Sequence, residues 1–161
     1  MIVCHAGNMT REKPALIIQN RFLDFGFGFY TTLNLEQAIA FSRKVTRKRG
    51  CGHATVNRYE VDDKAMLAQC SLLKFSRPDK AWLDFVSANR QNAYRGKRYD
   101  LIYGPVADDD VYTTVAAYIN GTFNAETALM TLKVKRLFDQ LVFASVKSLS
   151  FLQPIGVKCY D

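Results

Sequence analysis

The segment from Leu23 to Thr32 reads LDFGFGFYTT and restricts the fold of this chain more than any other stretch. Gly26 and Gly28 stand one residue apart, and glycine allows a sharp turn or the close approach of another group to the backbone. The aromatic and β-branched residues that follow are typical of a short strand. The segment predicts a tight turn that enters a strand. That strand either packs in an ordinary core or holds a flat ligand against Tyr30 or Phe29.

The N-terminus predicts an apolar strand that leads into a histidine. Met1 to Cys4 is the predicted strand, and His5, Ala6 and Gly7 are the predicted turn after it. Taken singly, His5 is explained by a structural hydrogen bond at a strand end, and Tyr30 by packing in a core. Their joint order is more informative, because a strand ending in His-small-Gly precedes a Gly-x-Gly-aromatic-Tyr element.

This arrangement resembles the ADP-ribosyltransferase-like superfamily. Within it, the sequence is similar to the branch with a His, a Tyr and a third polar residue, shared by poly-ADP-ribose polymerases and diphtheria-type toxins. His5 and Tyr30 match the first two positions. The segments LDFV, GPVADD and DQLVF further resemble a small bacterial family of uncharacterised members. The resemblance implies one α+β domain over residues 1–161, in which two small sheets form a split core around an NAD cleft and helices lie at the periphery.

The resemblance also implies roles for individual residues. NAD would be the substrate, and no metal is implied. The backbone beside His5 would bind the nicotinamide carboxamide, the imidazole would bind a ribose hydroxyl, and Tyr30 would stack on the nicotinamide ring. The residues implied to bind NAD are His5, Ala6, Gly7, Gly28, Phe29 and Tyr30.

The third position departs from the family pattern. The family usually has Glu there, whereas the matching strand in this chain begins Asp139-Gln140. Gln140 can hydrogen-bond ribose hydroxyls but carries no charge to stabilise a cationic transition state. Asp139 points to the opposite face of a regular strand unless a bulge turns it inward. Three interpretations stay open: Gln140 suffices for slow or substrate-assisted transfer, Asp139 supplies the charge, or the domain binds NAD or another nucleotide without turnover. The predicted catalytic residues are His5, Tyr30 and Gln140.

Composition is ordinary for a globular protein, with 48% apolar and 23% charged residues in a chain of 161. No apolar run approaches the roughly 20 residues of a membrane helix, and no secretory signal is apparent. The four cysteines stand far apart without C-x-x-C spacing, so reduced thiols are expected rather than disulfides or zinc. We therefore predict a cytoplasmic protein without a membrane partner. Delivery to another cell within a larger assembly stays open.

A basic helix is predicted after Asn34, which is a good N-cap, and Gly50 is expected to end it. Its cations between Arg43 and Arg49 lie opposite the apolar positions. With a net charge of +7, this face is either simply solvated or a docking surface for nucleic acid or an acidic protein. Aromatic residues are not interleaved with these cations, which weakens an RNA-binding interpretation.

Two further clusters suggest a metal at first sight. Cys51 and His53 share a glycine-rich turn, but two candidate ligands do not make a site. The run Asp108 to Asp110 lacks the alternating spacing of an EF-hand loop and is better explained as the N-terminus of a helix.

The remaining elements follow from periodicity and capping residues. Asp79 caps a helix that ends near Arg90, and polar groups on it, Asp84, Asn89 and Arg90, are candidates to support the site. The other predicted elements are an extended piece over 15–18, strands over 55–61, 72–75, 99–103, 137–143 and 151–159, and helices over 64–69, 111–120, 125–135 and 145–149. A bulge is expected at Pro154 or Gly156.

Two functions therefore remain. The first is a mono-ADP-ribosyltransferase that modifies a protein or nucleic acid, as a bacterial toxin with a neutralising antitoxin protein would. The second is an inactive transferase-like module that binds nucleic acid or an acidic partner through residues 43–49. The second function predicts binding that weakens steeply with salt and no consumption of NAD.

Overall fold

The computed structural model describes residues 1–16, 23–135 and 137–161. These residues form a mixed α+β fold with two small β-sheets and six helices. The second half of the extended piece predicted over 15–18 lies outside the described residues. None of the helices in the described ranges is both long enough and apolar enough to cross a lipid bilayer.

The elements follow one another in a mixed order. The strands are β1 Ile2–Gly7, β2 Phe29–Thr31, β3 Thr55–Glu60, β4 Leu72–Lys74, β5 Leu101–Pro105, β6 Asp139–Phe143 and β7 Gln153–Cys159. The helices are α1 Leu35–Arg49, α2 Asp63–Gln69, α3 Lys80–Arg90, α4 Asp109–Ile119, α5 Ala125–Lys133 and α6 Val146–Leu149.

The strands divide into two sheets. One has the order β1-β3-β7 and is antiparallel throughout. The other has the order β2-β6-β5-β4, in which only the β4-β5 pair is parallel. A single isolated bridge between Cys4 and Thr32 links β1 to the end of β2. In the described part of the chain, this bridge is the backbone pairing that joins the two sheets.

Apolar side chains pack between the sheets and on both outer faces. An inter-sheet core joins β1 and β3 to the second sheet, with Val3, Phe29, Tyr59, Leu101 and Phe143 fully buried. A helix-side core packs α3, α4 and α5 on the other face of the second sheet. A small cluster seats α1 on the outer face of the first sheet. Alternation along each strand sends successive side chains to different cores.

Local signals for helix ends are confirmed. The Asn34 side chain accepts a hydrogen bond from the Gln37 N–H at 2.9 Å, and Gly50 ends α1 in the left-handed conformation with φ of 66°. Asp62, Asp79, Asp108 and Asn124 cap the four helices that follow.

Two expectations near strand ends had different outcomes. The predicted turn at His5, Ala6 and Gly7 is wrong, because β1 continues to Gly7 and these residues pair with β3. The ladder hydrogen bonds with β3 outweigh the preference of small residues for a turn. The expected bulge in β7 is confirmed: Arg58 pairs with Gly156 and Tyr59 with Pro154, which leaves the intervening residue without an opposite partner.

Candidate functional site

The candidate site lies at the bridge between the two sheets. The Cys4 and Thr32 backbones exchange hydrogen bonds of 2.8 and 2.9 Å, and these are the backbone bonds between β1 and β2 in the described chain. Backbone groups in an antiparallel strand alternate between its two sides, so the Ala6 N–H and C=O point to the same side as those of Cys4. They therefore point away from β3, toward the side on which β2 lies. Ala6 and Gly7 are half-buried, which leaves this part of the strand accessible.

His5 is tied to the edge of β2. Its Nδ1 lies 2.8 Å from the Tyr30 carbonyl oxygen, which can only accept, so Nδ1 carries the proton and Nε2 is left as an acceptor. The imidazole stacks on Phe29, with 4.2 Å between ring centroids. Burial lowers the pKa of His5 to about 4, against the opposing effect of the Tyr30 hydrogen bond, and the positive charges of Arg11 and Arg49 add to the decrease. His5 is thus neutral at pH 7.

Tyr30 closes the glycine turn that precedes it. Its hydroxyl donates to the Gly26 carbonyl at 2.7 Å and accepts from the Phe25 N–H at 3.0 Å. Gly26 itself has a φ of 79°, which side chains rarely adopt. The ring is half-buried against the helix-side core. Burial, followed by the nearby Asp24 carboxylate, raises the pKa of Tyr30, so the hydroxyl stays protonated.

Gln140 shares a face of the sheet with Tyr30. Tyr30 pairs with Val142 on β6, and Gln140 lies two residues from Val142 on the same face. Its side chain is only 6% exposed and lies against Asp24. Nevertheless, Nε2 completes no hydrogen bond of good geometry with the described residues. A buried amide with unmet hydrogen-bonding capacity is unusual, and it indicates a position that a ligand or water can satisfy.

Asp139 occupies the other face of β6. Its carboxylate accepts a hydrogen bond from the Tyr103 hydroxyl at 2.7 Å on the exposed side. Asp139 and Gln140 pair in regular succession with Pro105 and Gly104, so β6 has no bulge here. The bulge that would turn Asp139 to the face of Gln140 is therefore absent from β6.

Asp24 and Arg90 form a buried ion pair beside Gln140. The Arg90 Nε donates to Asp24 Oδ1 at 2.5 Å, a second guanidinium nitrogen contacts the same oxygen, and the Ala107 N–H donates to Oδ2 at 3.0 Å. Asp24 is 5% exposed. Burial raises its pKa, while Arg90, Ala107 and Gln140 act in the opposite direction. Sequence reasoning missed Asp24, although an acid amid the apolar residues of LDFGF was a usable signal.

The structure thus brings together part of the predicted set. Tyr30 and Gln140 lie on the helix-side face of the second sheet, around the Asp24 carboxylate. His5 meets the same strand from its edge and stacks toward the inter-sheet core. Phe29 is fully buried, so its ring supports His5 and is not open to a ligand. These three catalytic candidates come from adjacent strands, but His5 and Gln140 approach β2 from different sides.

Gly28 is required by packing against β6. A Cβ at this position would lie 2.5 Å from Val142 Cγ1 and 3.0 Å from the Phe143 carbonyl oxygen. Asn89, one of the predicted supporting residues, lies against the same turn: its Oδ1 would be 2.9 Å from a Cβ on Gly26. Asp84 is engaged elsewhere, with Lys80 and Tyr118.

A family model matches residues 1–153, and its description is "Protein of unknown function (DUF3990)". The chain belongs to the DUF3990 family. The match extends from the N-terminus to the first residue of β7 and so includes every residue of the candidate site. Neither the curated proteins nor the solved structures contain a match.

The basic helix of this DUF3990 protein is partly used by its own fold. The Arg43 Nε donates to the Tyr160 carbonyl at 2.9 Å, and Arg49 donates to the Asn8 side chain at 2.7 Å. Arg47 and Lys48 are exposed. The predicted docking surface is therefore smaller than its sequence indicates.

The clusters that suggested a metal have other contacts. His53 Nδ1 lies 2.5 Å from Asp161 Oδ2, and Asp108 caps α4 through the Val111 N–H at 3.1 Å. No group of three or more His, Cys, Asp or Glu residues is arranged to hold a metal in the described part of the chain.

Proposed function

We propose that this DUF3990 protein is an ADP-ribosyltransferase-like enzyme that binds NAD and transfers ADP-ribose to a protein or nucleic acid. The observation that carries the proposal is the hydrogen bond of 2.8 Å between His5 Nδ1 and the Tyr30 carbonyl. It joins the predicted histidine and tyrosine at the bridge between two small sheets, which is the arrangement that the family resemblance implies. Gln140 follows on the adjacent strand, where its buried amide lies against Asp24.

The residues present fit the nicotinamide riboside end of NAD. The Ala6 N–H and C=O point toward the side on which β2 lies as a donor and an acceptor, the complement of a carboxamide. Tyr30 offers the exposed part of its ring for stacking. Neutral His5 can accept a hydrogen bond from a ribose hydroxyl at Nε2. The Gln140 amide lies behind Tyr30 against Asp24, and it would reach a second hydroxyl from that side of β2 only with a shift of its side chain.

In the proposed reaction, the bond between ribose C1′ and the nicotinamide nitrogen of NAD breaks. Its electron pair stays on nicotinamide. A nucleophile on the acceptor forms the new bond to C1′ and loses its proton to solvent or to a base. The protein must hold the ribose while positive charge develops on it. Gln140 contributes an amide dipole to this charge, and Asp24 is already paired with Arg90. This electrostatic arrangement supports slow transfer, or transfer assisted by the acceptor.

The paired state of Asp24 also favours a second candidate function. An enzyme of this class gains its largest electrostatic contribution from a free carboxylate near the ribose, whereas Asp24, the carboxylate that contacts Gln140, is paired with the half-buried Arg90. An inactive module that binds nucleic acid or an acidic partner would not need a free carboxylate at this place. Arg47 and Lys48 on α1 are the exposed cations available for that role.

Nicotinamide release from NAD, measured by chromatography with mass detection, tests the proposal. The variants are His5→Asn, which keeps a donor for the Tyr30 carbonyl but removes Nε2, and Gln140→Ala. The matched control is Asp139→Asn, since Asp139 is the next residue on the other face of β6. We expect both site variants to lower the rate of nicotinamide release at least about tenfold, because each loses a contact to the transition state. The control should release nicotinamide at the wild-type rate.

The same assay separates the remaining functions. Stimulation by cell lysate, with transfer of label to macromolecules, would support a transferase with a protein or nucleic-acid acceptor. Release without transfer would indicate a glycohydrolase. No release by folded wild-type protein, with or without lysate, would contradict the enzyme and favour the binding module. A toxin would in addition be silenced by a dedicated antitoxin protein, which co-expression can test.

A further inference from the structure

A second site lies beside the glycine turn and does not include His5, Tyr30 or Gln140. It is a cavity of about 140 Å³ between this turn, the C-terminal part of α3 and the loop that follows α3. A volume of this size holds several water molecules and therefore has room for a flat ring. Tyr94 and Tyr99 contribute aromatic rings to its lining, and Arg95, Lys97 and Arg98 contribute cations.

The lining of this cavity is strongly cationic. Three of its side chains, Arg95, Lys97 and Arg98, carry a positive charge, and none carries a negative one. All three are exposed at the rim. The Arg95 guanidinium donates to the Asn92 and Tyr94 carbonyls at 2.8 and 2.9 Å, which holds it against the loop. The rim therefore presents cations to an anionic ligand from a defined surface.

Two aromatic residues of the loop, Tyr94 and Tyr99, flank these cations. Tyr94 packs edge-on to Phe85, with centroids 4.8 Å apart, and its hydroxyl donates to the Lys97 carbonyl at 2.7 Å. Gly96 fits beneath this ring because a Cβ there would lie 2.6 Å from the Tyr94 hydroxyl. The Lys97 ammonium lies 5.1 Å from the centre of the Tyr99 ring. The loop is thus folded so that rings line the cavity while the charges stay at its rim.

We propose that this cavity binds single-stranded nucleic acid, with one base in the cavity beside Tyr99 and backbone phosphates on Lys97 and Arg98. Rings and cations side by side in one groove are the combination by which proteins hold single strands, since bases stack and phosphates pair with the charges. An acidic peptide would use the cations but not the rings. The basic helix α1 lacks this combination, because no aromatic residue lies between its cations Arg43 and Arg49.

This inference goes beyond the proposed function and does not rest on it, because binding needs neither NAD nor turnover. The two sites nevertheless share a wall. Phe25 and Gly26 line the cavity, and their backbone groups hold the Tyr30 hydroxyl. A strand in the cavity would lie next to the candidate transferase site.

Fluorescence anisotropy with a short labelled oligothymidylate tests the inference in the absence of NAD. The loop variant is Lys97→Ala/Arg98→Ala, and the matched control is Lys64→Ala/Lys133→Ala, which removes the same charge from exposed helical positions on α2 and α5. Tyr99→Leu tests stacking while it keeps apolar volume against the core. Circular dichroism verifies that each variant is folded.

We expect the loop variant and Tyr99→Leu each to raise the Kd at least about fivefold, and the helix control to change it less than about twofold. Between about 50 and 200 mM salt, the slope of log K against log salt should be smaller in the loop variant by about 1.4, for two lost phosphate contacts. Three results would each overturn the inference: no binding by the wild type at low salt, equal weakening by the loop and helix variants, or equally strong competition by polyglutamate.

Discussion

Asp24 and Arg90 form a buried ion pair although they stand 66 positions apart in the chain. Asp24 belongs to the glycine turn and Arg90 to the last turn of α3, and Asp24 also accepts from the Ala107 N–H ahead of α4. The Arg90 guanidinium lies 4.2 Å from the centre of the Tyr112 ring. One carboxylate thus connects three segments beneath the candidate site.

Removing the cation of this pair should destabilise the protein strongly. Arg90→Met leaves the Asp24 carboxylate buried without its partner, and such a change costs about 3–5 kcal/mol. The matched control is Lys80→Met on the same helix, which breaks an exposed pair with Asp84. Urea denaturation should show a large decrease in the free energy of unfolding for Arg90→Met. The control should change it little, because exposed pairs are screened by water. Similar losses in the two variants would contradict a buried pair.

An acid at position 140 should also destabilise this chain. Gln140→Glu places a second carboxylate against Asp24 in a buried site, at a cost of about 1–3 kcal/mol at pH 7. Burial and the Asp24 charge raise the pKa of the new carboxyl above its unfolded value. The folded state then binds more protons, so the cost should shrink as the pH is lowered toward 5. Urea denaturation of Gln140→Glu at pH 7 and at about pH 5 tests this expectation. The free energy of unfolding of Asp24→Asn/Gln140→Glu should depend less on pH.

His5 is neutral in the folded protein, so we expect the free energy of unfolding to fall in mild acid. Its folded pKa is about 4, below the ordinary 6.5, so the unfolded chain binds a proton that the folded protein excludes. Stability should therefore fall as the pH drops from about 6.5 to about 4, by up to about 3 kcal/mol from this residue. His5→Asn removes this contribution, so its stability should depend less on pH over the same range. If the unfolding free energies of the wild type and His5→Asn change with pH in the same way, His5 is not held neutral.

The hydroxyl and the ring of Tyr30 should have separable roles. Tyr30→Phe loses the hydrogen bonds to Gly26 and Phe25, which should cost about 1–2 kcal/mol of stability. It keeps the flat face, so we expect the Kd for NAD to stay within about threefold, whereas Tyr30→Leu should raise it about fivefold. Calorimetric titration of both variants provides the test. Equal weakening by the two would argue against stacking.

Gly28 should tolerate no side chain, because β6 occupies the space. Gly28→Ala places a Cβ 2.5 Å from Val142 Cγ1, and overpacking of this kind costs about 1–3 kcal/mol. Gly156→Ala is the matched control in a strand, since a Cβ there meets nothing within 4 Å. Thermal unfolding should distinguish the two. Equal stability of both variants would mean that β2 and β6 are not packed so closely.

Expectations based on neighbouring residues agreed best with the structure. Asn34 and Asp79 cap their helices because a side-chain oxygen needs only the N–H three residues on, which is a local relationship. Alternation along β6 likewise predicted that Asp139 and Gln140 face opposite ways. The turn expected at His5 to Gly7 failed because its outcome depended on β3, whose pairing carries β1 onward to Gly7.

The sequence by itself determined the helices, their caps, most strands and the residue types of the candidate site, since these depend on periodicity and on contacts within a few residues. Only the tertiary structure decided that Asp24 lies against Gln140, that Arg90 neutralises it, and that Phe29 is buried beneath His5. Long-range pairing, burial and charge compensation produce these relationships, and they arise only when segments far apart in the chain pack together.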